Sequence, residues 1–312
     1  METTQREKNL LPPRRPVDAV LDTDAYNEID DQFALSYLLS MSDRVTTRAI
    51  YAAPFHNARS SSPKDGMEKS YEEILRLLGL IGKGFEKTPV FRGSEGYLPK
   101  EEVPVYSPAA EDLALRAMSY TEEEPLYVVA IGAITNVASA LLLNPEIASR
   151  IVVVWLGGNA LHFDHNREFN MMQDVFAARA VLSSGAPVVL FPCGGVVDRF
   201  TLSMVELSHH LEGKNPLCDY LVDSVRKEIS GYEAGLCASR VIWDVTAVAW
   251  LSEDPHRYMN FRTVPAPVPK TDHTWQKTAP LDRPTVTYVS YIHRDALASD
   301  LIRALWTIGS EK

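Results

Sequence analysis

The chain has 312 residues, 46% of them hydrophobic and 23% charged, with 16 glycines and 20 prolines. That composition excludes disordered, collagen-like and low-complexity classes, and the length is enough to bury a sizeable core. Against 31 basic residues stand 41 acidic ones, a net charge of −10, which argues against nucleic acid or an anionic membrane as partner and leaves a small neutral substrate open.

Residues 1–16 read as a loose N-terminal arm: polar at the start, ending in prolines, with no apolar stretch of the signal-peptide kind. The expectation is a soluble cytoplasmic protein. Residues 17–21 form a β-branched apolar run, followed by an acidic loop and an amphipathic stretch over 31–39, hence strand, loop, helix. A second strand is expected at 46–52 and a helix at 70–80, where Tyr71, Ile74, Leu75, Leu77 and Leu78 share one face. The window 126–143 is apolar enough to suggest a membrane span. Thr135, Asn136 and Ser139 interrupt it and prolines bracket it, so it reads as a buried strand, a turn at Gly132 and a short helix. Further strands are expected at 151–156, 188–191 and 285–292, and helices at 174–184, 244–251 and 295–306. Continuous apolar strands alternating with helices predict an α/β fold, an open, mainly parallel sheet with helices on both faces. Residues 261–284, rich in proline, read as a surface loop, and the whole chain reads as a single domain. Cys193, Cys218 and Cys237 are too few and too scattered for a disulfide framework or a zinc site.

Between Asp22 and Asp31 the chain places four aspartates, one glutamate and one asparagine in ten residues. The cluster lies where a strand hands over to a helix, the edge at which open α/β sheets bind ligands. Carboxylates this close raise one another's pKa unless a cation sits among them. With oxygen donors alone and no His or Cys, the set suits Ca²⁺ or Mg²⁺ rather than zinc. It is not an EF-hand, since the turn glycine and the closing glutamate are missing. An exposed acidic turn in which Asp30 or Asp31 caps the helix is the simpler alternative. Two other segments bear on the choice. Gly132-Ala133-Ile134-Thr135-Asn136 ends a strand and opens a helix, and Trp243-Asp244 opens another.

Together these segments resemble the inosine-uridine-preferring nucleoside hydrolase family, over about residues 17–308. The match includes Asp22-x-Asp24-x5-Asp30-Asp31, Pro89-Val90-Phe91-Arg92-Gly93, Gly132 to Ala138, Gly157-Gly158-Asn159, and Glu168-Phe169-Asn170 followed by Asp174 and Ala177-Ala178, all in the family's order. The resemblance implies a bound Ca²⁺, hydrolysis of the N-glycosidic bond of ribonucleosides, and assembly as a homodimer or homotetramer. Residue by residue, Asp24 matches the aspartate that binds calcium and orients or deprotonates the attacking water. Asp31 and Asp244 match carboxylate ligands, and Thr135 the residue giving a backbone carbonyl. Asp30, Asn57, Asn159, Glu168 and Asn170 match residues that hydrogen-bond the ribose. Two departures stand out. The aspartate loop is two residues longer than the family's D-x-D-x3-D-D, bringing in Asn27 and Glu28. Where inosine-uridine-preferring members carry a histidine before the last calcium aspartate, this chain has Trp243, which is similar to purine-specific members that stack an aromatic on the base. For leaving-group protonation His56, His162, His165 and Tyr232 are the titratable candidates. Two alternatives stay open: a non-catalytic Ca²⁺-dependent nucleoside or sugar binder, and a metal-dependent phosphohydrolase with Asp22 as nucleophile.

Overall fold

The structure is a computed structural model and describes residues 4–230, 237–277 and 283–309. In chain order its elements are α1 (Gln5–Asn9), β1 (Val17–Thr23), α2 (Asp30–Ser40), β2 (Val45–Ala52), α3 (Pro63–Ile81), β3 (Val90–Arg92), α4 (Pro108–Arg116), β4 (Leu126–Ala130), α5 (Thr135–Leu143), β5 (Ile151–Leu156), α6 (Phe169–Gln173), α7 (Val175–Ser183), β6 (Val188–Phe191), β7 (Thr201–Ser203), α8 (Met204–Leu211), α9 (Pro216–Ser230), β8 (Ser239–Val241), α10 (Val245–Val248), β9 (Met259–Pro265), β10 (Thr285–Ile292) and α11 (Arg294–Ile308).

A strand whose residues are all apolar must be covered on both faces. In β5 every residue is buried. Val152, Val154 and Leu156 enter one core and Ile151, Val153 and Trp155 the other. The first core is filled by α2, α3 and α8–α11, with Leu35, Leu77 and Leu301 among its members. The second is filled by α4, α5 and α7, through Leu113, Val137 and Val181. The eight-stranded sheet has the order β3-β2-β1-β4-β5-β6-β10-β9, and all its pairs are parallel except β10–β9. The expected α/β architecture is therefore the one observed. A separate antiparallel pair joins β7 to β8. Among the described residues no helix is long and apolar enough to cross a membrane.

From β1 the chain winds one way to β2 and β3, and the other way to β4, β5 and β6. That reversal leaves a crevice at the carboxyl ends of β1 and β4. One side chain, Asn136 of α5, binds its walls together. Its Nδ2 donates to Asp22 Oδ1 (2.8 Å) and to the Ala52 carbonyl (3.3 Å), while its Oδ1 accepts from the Ser94 amide (2.8 Å) and hydroxyl (2.9 Å). Losing one partner of a buried pair costs roughly 1–3 kcal/mol, and here several are lost together. Asn136→Ala is expected to lower unfolding free energy by about 3 kcal/mol or more, measured by urea denaturation. A loss below about 1 kcal/mol would mean these contacts are replaceable by water.

Three expectations are corrected. Residues 261–284 are not simply loop: β9 runs antiparallel along β10 and closes the sheet edge, its alternating half-exposed residues giving no continuous apolar run. Part of that stretch, residues 278–282, lies outside the described residues. The segment read as a loose arm is pinned. Thr4 caps α1 through a reciprocal capping box, Arg6 donates to the carbonyls of Gly185 (2.7 Å), Ala186 (3.3 Å) and Thr285 (2.8 Å), and the Leu10 carbonyl accepts from the Thr287 hydroxyl. Helix α2 is not amphipathic but buried on every side from residue 30 to 39, because it packs between the sheet and α3, α10 and α11.

Candidate active site

The walls of the crevice carry the acidic cluster. Thr23 ends β1, and its hydroxyl donates to Asp31 Oδ1. Asp24 follows, 1% exposed, and neither carboxylate oxygen has a hydrogen-bond partner. Its close neighbour is Gly132, just past β4, where an added Cβ would lie 2.9 Å from Asp24 Oδ1 and 3.1 Å from Ala53 Cβ. Asp30 and Asp31 open α2, and Asp244 precedes α10. All three are buried, and one oxygen from each lies within 4.8 Å of the others. The Asp244 amide donates to Asp30 Oδ2 at 3.3 Å. None of these carboxylates caps its helix: Ile29 is the N-cap of α2 with no side-chain bond, and Asp244 makes no cap bond. The exposed-turn alternative is thereby set aside.

Burial raises the pKa of every member. Asp31 is pushed up to about 6 and Asp22 to about 7. Asp24, Asp30 and Asp244 rise well above the usual carboxylate range, first by burial and then by repulsion from neighbouring aspartates. Asp22 Oδ2, like both oxygens of Asp24, is buried without a partner. Orphaned buried carboxylate oxygens are costly and call for a positive charge. The oxygen-only set fits a hard divalent cation. Thr135, first in α5, spends its hydroxyl on Asp174 Oδ2 (2.8 Å), which leaves its backbone carbonyl as the group it could offer. The structure differs from the sequence reading in emphasis: the tightest trio contains Asp30, while Asp24 stands beside it and acts on Asp244 through its charge.

Past β5 lies a second group, held by backbone. Glu168 caps α6, accepting from the amides of Asn170 (3.0 Å), Met171 (2.9 Å) and Gly158 (2.6 Å). Burial pushes its pKa up to about 7 while those amides pull it down. Asn170 Nδ2 donates to the carbonyls of Ile131 (3.2 Å) and Leu156 (3.0 Å), joining the ends of β4 and β5. Asn159 Oδ1 accepts from the Gly194 amide at 3.0 Å. Burial raises the pKa of the Cys193 thiol, and the charges of Glu168 and Asp30 both add to the rise.

On the rim, Asn57 Nδ2 donates to Asn27 Oδ1 at 2.7 Å, so the longer aspartate loop reaches one of the expected ribose residues. Trp243 is half-buried, packs against the first core, and keeps its indole N–H buried without a partner. His162 and His165 are exposed on either side of Phe163, and His56 is exposed as well. Tyr232 lies outside the described residues. Sequence reasoning missed Tyr97, which has no periodic pattern around it to signal a role. Its hydroxyl donates to Gln173 Oε1 beside the His56 amide. Burial raises its pKa and the Asp24 charge raises it further, so it lies within electrostatic reach of the cluster.

A carboxylate-lined crevice at the switch point of a mainly parallel sheet defines a class of α/β protein with a hard-cation site. Residues 19–295 match the inosine-uridine preferring nucleoside hydrolase family, and the chain belongs to it. The non-specific ribonucleoside hydrolase RihC of Salmonella typhi is 33% identical over 165 residues, 51% of each chain. The chain thus spans about half the length of the curated relatives it matches. Among solved structures, the purine-preferring ribonucleoside hydrolase from Gardnerella vaginalis superposes with a TM-score of 0.76 at 21% identity, covering 94% of this chain and 99% of that one. The inosine-uridine preferring nucleoside hydrolase from Bacillus anthracis gives 0.68 at 17%, covering 93% and 99%. Both likenesses are of fold.

Proposed function

We propose that the protein hydrolyses the N-glycosidic bond of ribonucleosides, purine ones by preference, releasing free base and ribose. The observation that carries this reading is Asp24: a buried carboxylate with both oxygens unpartnered, beside three more converging aspartates, at the sheet's ligand-binding edge. Asp24, Asp31, Asp244 and the Thr135 carbonyl are the groups to hold Ca²⁺. When bound, the cation supplies Lewis acidity and offsets the carboxylates' mutual repulsion.

N-glycosidic cleavage passes through an oxocarbenium-like sugar, so it needs an oriented water, negative potential around the ring, and a stabilised leaving base. Asp24 orients the water and accepts its proton as C1′ is attacked. The surrounding aspartates supply negative potential to the cationic sugar. Asp30, Asn57, Asn159, Glu168 and Asn170 hold the ribose hydroxyls, and their backbone anchors make that geometry pre-formed. Trp243 stacks on the base. Purine preference is supported by Trp243, which resembles the aromatic of purine-specific members, and Ca²⁺ as the cation and assembly as a dimer or tetramer are supported by the family resemblance.

The test is a panel of purine and pyrimidine ribonucleosides assayed for reducing-sugar release, with and without chelator. Chelator-sensitive release from purine nucleosides is expected. Trp243→Ala should raise KM for inosine by up to about tenfold and for uridine much less, since aromatic stacking contributes up to about 1.4 kcal/mol. Nucleoside binding without base release would favour the non-catalytic alternative.

A further inference from the structure

We propose that Arg240, clamped by Glu28, is a positioning residue for purine specificity, which fixes the Trp243 indole so that one of its faces is presented to the base. This rests on the reading of Trp243 given above. The Arg240 guanidinium lies over the Trp243 ring, 5.6 Å from its centroid. Its Nη2 donates to Glu28 Oε2 at 2.7 Å and stands 3.8 Å from Glu228 Oε1. Glu228, on α9, also pairs with Arg59 from the loop after β2. The guanidinium is thus held from two directions, with only 15% of its side chain exposed.

Glu28 belongs to the stretch between Asp24 and Asp30 that is two residues longer than the family pattern. The extra length therefore has a use: it carries a carboxylate across to β8. Glu28 is half-buried, which raises its pKa, and the nearby Arg240 charge is the chief influence opposing that rise. A guanidinium can lie flat on an aromatic face while its edge N–H groups reach carboxylates, and an ammonium cannot do both. Held from this side, the indole keeps one orientation in which to stack on a planar ligand.

An internal salt-bridge cluster with a merely structural role would not distinguish bases, and the test exploits that. Arg240→Met should raise KM for inosine about fivefold, with kcat for inosine and KM for uridine changed less than about twofold. Glu28→Gln should give about threefold in the same direction, and the double variant less than the product of the two. Arg240→Lys should not restore wild-type KM. As a readout independent of turnover, quenching of tryptophan fluorescence by free hypoxanthine should weaken in Arg240→Met. Equal rises for inosine and uridine, or none for either, overturn the proposal. If the wild type releases base and Trp243→Ala loses purine preference while the Arg240 and Glu28 variants keep it, only this inference fails. If the wild type releases no base, the hydrolase reading fails and the quenching experiment still decides this one. Should Arg240→Met not fold, Glu28→Gln and Arg240→Lys carry the test.

Discussion

Asp24→Ala is expected to reduce kcat for ribonucleoside hydrolysis by about 10³-fold or more, the range associated with loss of a positioned proton acceptor that also orients the nucleophile. The isosteric Asp24→Asn should do nearly the same, because an amide cannot accept the water's proton. Stability should move oppositely in the two metal states. Without cation, Asp24 is a buried carboxylate with two unpartnered oxygens, so neutralising it removes a penalty and the melting temperature should rise. With Ca²⁺ saturating, the same change removes a ligand and the melting temperature should fall relative to wild type. Steady-state kinetics and paired thermal melts measure both halves. A variant keeping more than about a tenth of wild-type kcat would exclude Asp24 from the chemistry.

Removing the metal should abolish activity and also change how stability depends on pH. In the metal-free protein Asp31 titrates near 6 and Asp22 and Glu168 near 7, against about 4 for carboxylates in the unfolded chain. A carboxyl with a raised folded pKa stays protonated in the native state over a range where the unfolded state has already released its proton. The native state then binds more protons, so stability falls as pH rises from about 4 to about 7. Each such group contributes a loss on the order of a few kcal/mol by pH 8. Chelator-treated protein should therefore be more stable at pH 5 than at pH 8. Ca²⁺ binds the ionised form, so its addition should raise the melting temperature most at pH 8 and flatten the profile. Urea titrations across that range, with EDTA and with Ca²⁺, measure this. A metal-free protein as stable at pH 8 as at pH 5 would contradict the carboxylate geometry.

Much of this architecture could be read from residue order, because both cores draw on alternate residues of strands with uninterrupted apolar runs. The expected bounds 151–156, 188–191 and 285–292 coincide with β5, β6 and β10. Elements whose pattern is weaker escaped. Helix α3 begins at Pro63, seven residues before its apolar periodicity, because Ser62 caps it and Pro63 suits a first turn. Helices α4, α8 and α9 and the edge strand β9 were not anticipated. In the crevice, residue types and spacing pointed to an acidic cluster between Asp22 and Asp31, and only the family resemblance joined to it Asp244, more than 200 positions away; the structure brings Asp30, Asp31 and Asp244 together. Residue types and spacing could not show that Asn136 braces the walls, that Gln173 meets Tyr97, or that Glu28 reaches Arg240. Those pairings are tertiary and leave no local periodicity.

The N-terminal segment gives the sheet an asymmetry. Strands β6 and β10 share only two register pairs, Thr287 with Val189 and Tyr288 with Leu190. Arg6 grips carbonyls on both sides of that seam, and the Leu10 carbonyl takes the hydroxyl of Thr287. A short stretch of polypeptide from outside the sheet therefore works as its stitching at the place where backbone pairing is thinnest, on the flank away from the aspartates. Cohesion of the β10–β9 ribbon with the rest of the molecule is thus written partly into residues that contribute no strand at all.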